Sequence, residues 1–379
     1  MSGPALGIDL GGTKIYAVIT DEKHHVISEA KTDTDSGAPP EKIIDDILEL
    51  GRTALRPLDL DLREVNHIGV AVPSPVDPET GDCHYANNLG WRDISLRELF
   101  QSKLGQDVYL GNDGNLGILA EYTCGAARGT RTAVGLYVGT GLGGGIVANG
   151  RLHTGYRGLA GEFGHMIIRQ GGRRCGCGRR GCAEAYCSKI AFVKAIRKAV
   201  FKRGVHTLLP ADKFDRNTKN IKSKHLARAY LAGDPAVCAA INRGAYMLGV
   251  TAANAAGLIA PECIVLGGGV ISALGAEMLP VFRAGFEEHL VGIDPSIIRI
   301  VFSALGDAAV AVGANTAVSA GEVYYYYNGN GGVCTLRQHP LHLRRHCDLP
   351  HRRCRAFLSP WRARNTETAT RHCHGLKCR

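Results

Sequence analysis

The sequence predicts an α/β protein built from two similar halves, and three observations carry that reading. Short apolar runs alternate with stretches of helical spacing along most of the chain. An apolar run entering a Gly-Thr turn occurs twice, as GIDLGGT at 7–13 and LYVGTGLGGG at 136–145. A third apolar run enters glycines at IVLGGGV, 264–270. Two halves facing each other would gather these turns around one cleft.

The elements follow in order. ALGIDL and KIYAVIT are short apolar runs joined by GGT, the pattern of a hairpin. EKIIDDILELGRTAL carries Ile43, Ile44, Ile47, Leu48 and Leu50 at helical spacing. HIGVAV is a buried strand stopped by PSPVDPETGD. SLRELFQSKLG is a helix with Ser95 as N-cap and Glu98 three residues on, the pattern of a capping box. DVYLGNDGN is a strand ending in a polar turn, and NLGILAEYTCGAA opens the next helix. TAVGLYVGTGLGGGIVANG repeats the strand–glycine–strand unit. Beyond Gly181, AEAYCSKIAFVKAIRKAV, KSKHLARAYLAGD and PAVCAAINRGAYMLGVTAANAAGLI are helical, CIVLGG is a strand, and DAAVAVGANTAVSAG is a final helix.

The chain has 379 residues, 45% of them hydrophobic and 21% charged, so collagen-like, coiled-coil and wholly disordered classes are excluded. No apolar run reaches the ~20 residues that span a bilayer. The N-terminus lacks the pattern of a signal peptide, so a cytosolic protein without a membrane partner is expected. The net charge is +10, but residues 323–379 carry ten Arg and one Lys against Asp348 and Glu367. The body is therefore nearly neutral, and no nucleic-acid partner is expected. That tail also holds five of the 13 Cys and six of the 15 His without a sustained period. It reads either as a basic metal- or nucleic-acid-binding arm or as a disordered or non-native extension.

Glycines after buried strands let backbone N–H groups approach an anion. Gly11, Gly12, Thr13 and Lys14 suit a phosphate site, with Asp9 able to hold hydrated Mg²⁺. Gly139, Thr140, Gly141, Gly143 and Gly144 suit a second. Each turn taken alone is also explained as a tight hairpin; their repetition favours a nucleotide. His165, Cys175, Cys177 and Cys182 stand as H-x9-C-x-C-x4-C, three thiolates and an imidazole for a closed, structural Zn²⁺ site. Disulfides are disfavoured, because a Cys-x-Cys pair is badly placed to bridge. Glu162 and Glu184 flank these ligands and suit the hydroxyls of a polyol. Cys83, Cys124, Cys187, Cys238 and Cys263 are scattered and read as free core thiols. Asn112 and Asp113 lie at a strand end, where an Asp can take a proton from an attacking hydroxyl or simply cap the next helix.

DLGGTK at 9–14, VPSPVD at 72–77, NDGN at 112–115, GTGLGGG at 139–145, GLAGEFGH at 158–165, CGCGRRGCAE at 175–184 and LGGG at 266–269 stand in the order found in the ROK family of sugar kinases. The chain resembles that family over about residues 5–320. The resemblance implies an actin-like, hexokinase-type fold, with ATP and sugar in a cleft between two domains and Mg²⁺ on the phosphates. The domains expected are 1–118 and 119–322, the second with the zinc loop. The last helix, about 306–321, is a candidate to return to the first domain, and 323–379 lies outside both.

By the same resemblance Asp113 is the catalytic base toward the sugar 6-hydroxyl. Asn88, Asn112, Glu162, His165 and Glu184 are sugar-binding positions. Cys175, Cys177 and Cys182 are zinc ligands, and His165 both ligates zinc and faces the sugar. Asp9, Gly11, Gly12 and Thr13 form the first phosphate loop. Gly139, Thr140, Gly141 and Gly143 form the second, and Gly268 and Gly269 lie on the adenosine side. Ser74 departs from the family's usual PGPV by placing a Cβ and a hydroxyl in the sugar loop. Gly111 stands where Glu or Asp is frequent.

NLGWRDISLRELF resembles the glucokinase-type branch, so glucose is the expected substrate. N-acetylglucosamine or N-acetylmannosamine is the alternative. A sugar-sensing repressor is the reading from a different class. Its family form carries a helix-turn-helix domain upstream of the first phosphate loop, where this sequence leaves no room. A homo-oligomer, dimer or tetramer, is expected.

Overall fold

The structure, a computed structural model, describes residues 3–319 except 79 and 87, together with 326–328 and 332–334. The rest of the tail, with most of the expectations about it, lies outside the described residues. The described tail residues form β13 (Tyr326–Asn328) and β14 (Gly332–Cys334), numbered last in chain order, which pair antiparallel.

The first sheet grows from the GGT hairpin. β1 (Ala5–Leu10) and β2 (Lys14–Thr20) pair antiparallel, with Asp9 opposite Tyr16. β3 (Val26–Asp33) adds to β2. It is mostly exposed and carries no apolar stripe, which is why the sequence did not announce it. α1 (Pro40–Leu55) starts on proline and buries Ile43, Ile44, Ile47, Leu48 and Leu50, as its spacing requires. β4 (Ile68–Val72), buried throughout, lies parallel to β1.

β5 (Asp82–Ala86) and β6 (Trp91–Ser95) form an antiparallel hairpin beyond the proline-rich turn. α2 (Leu96–Leu104) follows with Ser95 at its N-cap position, but no capping box forms. The Ser95 hydroxyl donates instead to Asp82 Oδ1 at 2.8 Å across the hairpin, a partner that local sequence does not reveal. β7 (Tyr109–Asn112) is parallel to β4, and α3 (Asp113–Thr123) begins two residues before the expected start.

The second sheet repeats this plan. β8 (Ala133–Val138), β9 (Leu142–Ala148) and β10 (Arg151–Leu152) run antiparallel in turn. The helical stretch after Gly181 breaks into α4 (Glu184–Cys187) and α5 (Lys189–Arg203) at Ser188, whose hydroxyl caps Ala191 N–H at 3.2 Å. α6 (Ser223–Leu231) and α7 (Pro235–Ile259) lead to β11 (Cys263–Gly267), which is parallel to β8. α8 (Ile271–His289) and β12 (Arg299–Phe302), both missing from the sequence reading, complete the sheet before α9 (Ala309–Ser319). The two sheets run β3-β2-β1-β4-β7 and β10-β9-β8-β11-β12, the same order of antiparallel and parallel neighbours. The echo of glycine turns in the sequence is thus an echo of topology, and the chain has the actin-like α/β fold.

Two helices cross between the sheets. α9 lies on the first: a Cβ on Gly7 would sit 2.0 Å from the Ala311 carbonyl oxygen, and one on Gly69 would sit 2.1 Å from that of Ala314. Asn315 on α9 donates to the Ala5 carbonyl and to the Thr20 hydroxyl, each at 3.1 Å. α3 lies on the second sheet, where a Cβ on Gly114 would sit 2.4 Å from the Gly144 carbonyl oxygen. The division of the body at residue 118 falls inside α3. Among the described residues no helix is long and apolar enough to cross a membrane.

Glu121 closes this crossing. It is fully buried on α3. Its carboxylate accepts from Ala126 N–H (2.7 Å), Ala304 N–H (3.2 Å), Leu305 N–H (3.1 Å) and the Ser303 hydroxyl (2.5 Å). The loop that launches α9 is therefore tied to α3. Removing the carboxylate strands several buried donors, each costing about 1–3 kcal/mol. Glu121→Ala is expected to lower stability by about 3 kcal/mol or more, read as a lower urea midpoint; an unchanged midpoint would rule out this role.

Candidate active site

The first glycine turn is a closed bend between β1 and β2. Gly11 N–H donates to the Lys14 carbonyl at 2.9 Å. Thr34 grips the turn from outside: its hydroxyl donates to the Gly11 carbonyl at 2.8 Å and its N–H to the Thr13 carbonyl at 3.1 Å. Thr13 and Lys14 are exposed on the turn. Asn88, at the tip of the β5–β6 hairpin, lies against it, so closely that a Cβ on Gly12 would come within 2.9 Å of the Asn88 Cβ. The structure thus seats Asn88 beside the first glycine turn.

The glycines of the second turn divide into two groups. Gly139 and Gly143 face open space, with nothing within 4 Å of an added Cβ. Gly144 and Gly145 pack against Phe163 and the start of α3, so they serve close packing. Gly139 N–H closes the turn on the Gly141 carbonyl at 3.0 Å, and Thr140 is exposed at its apex. The first residue of α5 holds the turn from behind, Lys189 N–H donating to the Gly139 carbonyl at 3.0 Å. The GGG after β11 divides similarly. Gly268, at φ +86°, is pressed on the Val138 backbone, while around Gly269 only the Ser223 hydroxyl comes near.

Asp113 sits between these turns, at the first position of α3. Asn112 caps the helix, its Oδ1 accepting from Asn115 N–H at 3.1 Å. The Asn112 amide nitrogen donates to Asp113 Oδ1 at 2.9 Å and to the Ser74 carbonyl at 3.3 Å, and Gly114 N–H donates to the same Asp113 oxygen at 2.7 Å. Capping and orientation of the acid are therefore two uses of one side chain. Burial pushes the Asp113 carboxyl above its ordinary range, while the N–H donors of Gly114 and Asn112 pull it back. Ser74, the departure from the family pattern, is buried, and its hydroxyl donates to the Tyr85 carbonyl. That hydroxyl is engaged by the β5 strand.

The zinc expectation meets a direct geometric test. One ligand atom from each of His165, Cys175, Cys177 and Cys182 lies within 4.8 Å of all the others. Cys177 and Cys182 sulfurs are 3.7 Å apart, and Cys175 Sγ is 3.9 Å from His165 Nδ1. A tetrahedron with Zn–S bonds of about 2.3 Å has edges of roughly 3.8 Å, so the set fits. The second imidazole nitrogen, Nε2, lies 3.9 Å from Glu162 Oε2, on the side away from the thiols. Glu184 ties this loop to the second glycine turn. Its Oε1 accepts from the Cys175 thiol at 3.5 Å and its Oε2 from Leu142 N–H at 3.2 Å. Burial raises the Glu162 carboxyl; His165 lowers it, and Asp113 and Glu184 raise it further.

One acidic group escaped the sequence reading. Asp307, in the short turn before α9, lies within electrostatic reach of Asp9. The signal available was only a Gly-Asp pair before a helix. Burial, then Asp113 and Asp307, pushes the Asp9 carboxyl from 3.8 up to about 7. The sign follows. Below about pH 4 the group is neutral folded and unfolded; as pH rises to 7 the unfolded chain ionises first, so the ligand-free fold loses stability across that window. Asp9→Asn is expected to raise the Tm of the ligand-free protein at pH 8 and leave it unchanged at pH 4. Equal effects at both pH values would contradict the burial of this charge.

A family model described as the ROK family matches residues 5–320. The chain is 31% identical over 316 residues to a glucokinase of Streptomyces coelicolor, covering 82% of this chain and 96% of that protein. It is 29% identical to a xylose repressor of Caldicellulosiruptor bescii, over 82% of this chain and 77% of the repressor. Among solved structures, a ROK family glucokinase from Streptomyces griseus in complex with glucose and AMPPNP superposes with a TM-score of 0.73 at 31% identity, covering 83% of this chain and 98% of that one. Glycine turns, acid and thiol cluster, in this order and on this fold, place the chain in the ROK family.

Proposed function

We propose that the protein is an ATP-dependent hexose kinase that phosphorylates the 6-hydroxyl of glucose, with Asp113 as the general base. The observation that carries this reading is the Asp113 carboxyl itself. It is half-buried, oriented by Asn112 and Gly114 N–H, and seated between two glycine turns. Its raised pKa makes it a better proton acceptor than an exposed Asp. Similarity to the glucokinases of two Streptomyces species supports glucose as substrate.

In this reading the outward-facing backbone at Gly139 and Gly143, with the Thr13 and Thr140 hydroxyls, receives the phosphates of ATP. Gly269 leaves room for the adenosine. Asp9 holds Mg²⁺ through water, and the cation would supply neutralisation of the phosphate charge. Asp113 accepts the proton of the 6-hydroxyl as that oxygen attacks the terminal phosphorus. Glu162, with Asn112, Asn88 and Glu184, accepts sugar hydroxyls and orders the ring. His165, Cys175, Cys177 and Cys182 would hold a structural Zn²⁺; Cys175 as a thiolate then no longer donates to Glu184, which stays tied to the second glycine turn through Leu142 N–H. A cytosolic homo-oligomer is the setting this reading implies.

A second reading, a sugar sensor without turnover, is favoured by the similarity to xylose repressors. One assay separates them: ADP release with MgATP and glucose, N-acetylglucosamine, N-acetylmannosamine, mannose and fructose. The expected result is a kcat/KM at least tenfold higher for glucose, with Asp113→Asn losing about 10²-fold or more in kcat while glucose Kd stays within threefold. Preference for an N-acetylated sugar would overturn the glucose assignment. Silence on every sugar in a folded protein would overturn the kinase. The zinc assignment is tested apart from turnover. Cys177 is exposed and packs against little, so Cys177→Ser acts through the metal. It is expected to lose bound zinc, to lower Tm by about 5 °C or more, and to weaken glucose binding. Unchanged zinc content and Tm would refute it.

A further inference from the structure

The zinc loop has a second face, turned away from Glu184. From Phe163 to Ala183 the chain carries five Arg and no Asp or Glu. Two of these arginines, Arg169 and Arg173, join Arg243 of α7 around a cavity of about 570 Å³, with Gln170, Gly172 and Tyr186 completing its wall. Nothing in the glycine turns or around Asp113 lines it.

The wall is built rather than loose. Gly172 N–H closes a turn on the Arg169 carbonyl at 3.0 Å. Gly172 also lies so near the Tyr186 hydroxyl that an added Cβ would come within 2.2 Å. That buried tyrosine accepts from Arg173 N–H at 2.9 Å, and its ring lies 4.7 Å beneath the Arg173 guanidinium. Arg173 also donates to the Ala185 carbonyl at 3.4 Å. Among the described residues no carboxylate pairs with Arg169, Arg173 or Arg243. Three guanidinium groups converge on one cavity with their charge uncompensated.

We propose that this cavity binds a phosphate dianion, carried on a phosphorylated sugar or as free phosphate or oligophosphate. Guanidinium forks match phosphate oxygens two at a time, which a lysine cluster would not do. The volume is that of a small-molecule site, and the polar wall suits a ligand without apolar groups. Occupancy would be felt at the proposed sugar site, because Tyr186 stands one residue beyond Ala185 and two beyond Glu184 on α4. The proposal does not depend on the kinase reading.

The test is calorimetric titration of the full-length, zinc-loaded protein with inorganic phosphate, tripolyphosphate and glucose 6-phosphate at one ionic strength. The same titrations are run on Arg169→Gln/Arg243→Gln. Any binding in the catalytic cleft is common to both proteins, so their difference reports this cavity. At least tenfold weaker binding of the tightest probe by the double variant, with zinc content and Tm unchanged, is expected. Preference for glucose 6-phosphate identifies a sugar phosphate as the ligand, and preference for tripolyphosphate an oligophosphate. Identical isotherms for wild type and variant with all three probes would overturn the proposal. Should the double variant lose zinc or fold, Arg243→Gln alone, on the exposed side of α7, is read the same way with a threefold threshold.

Discussion

Backbone contact between helix and strand is the constraint on which the rest of the molecule depends. α9 meets β1 and β4 at Gly7 and Gly69, and α3 meets β9 at Gly114 and Gly145, with no space for a Cβ at any of the four. α3 and α9 meet each other the same way, since a Cβ on Gly313 would fall 1.8 Å from the Leu116 carbonyl oxygen. At such distances a methyl group cannot be absorbed by rotamer changes, because the obstacle is main chain on both sides. The buried Glu121 carboxylate then ties α3 to the loop before α9 through four donors. The two sheets are thereby held by crossing helices, and each helix delivers one acid at its start, Asp113 on α3 and Asp307 just before α9.

The electrostatics follow from that crossing. Asp9 and Asp113 lie close together, with the exposed Asp307 within electrostatic reach and no lysine or arginine among the groups that shift Asp9, and burial of Asp9 itself is the largest cause. Such a cluster destabilises the ligand-free fold near neutral pH. A bound cation at Asp9 would relieve the strain, so the groups suited to receiving a metal–nucleotide are the same groups that weaken the fold without it. Groups that weaken a ligand-free fold in this way are common in active sites.

Glu184 makes a second connection. One oxygen receives the Cys175 thiol and the other the N–H of Leu142, so the thiol loop and the second glycine turn share a carboxylate. The outer side of the same loop is held by Tyr186 and carries the unpaired arginines. A single short helix, α4, thus reaches the second glycine turn through Glu184 and the cationic cavity through Tyr186.

Much of this was legible in the sequence. The glycine turns, the H-x9-C-x-C-x4-C spacing, the buried strands and α1 follow from local chemistry, because glycine, thiolate ligands and apolar periodicity have few alternative uses. Asp113 was legible through its motif. Other features depended on partners distant in the chain. β3 is exposed and owes its place to pairing with β2. Ser95 fits a capping box, yet its hydroxyl goes to Asp82, thirteen residues back. Ser74 looked like an intrusion into the sugar loop, but its hydroxyl is taken by Tyr85. Glu121, Asp307 and the Arg169–Arg173–Arg243 cavity carry no local signature, since each acquires its meaning from residues tens to hundreds of positions away. The sequence by itself determined which residue types stand at the turns, at the acid and in the thiol cluster, and at what spacing. Tertiary structure decided which glycines face open space and which face backbone, and where charge is left unpaired, because those properties belong to the space between elements.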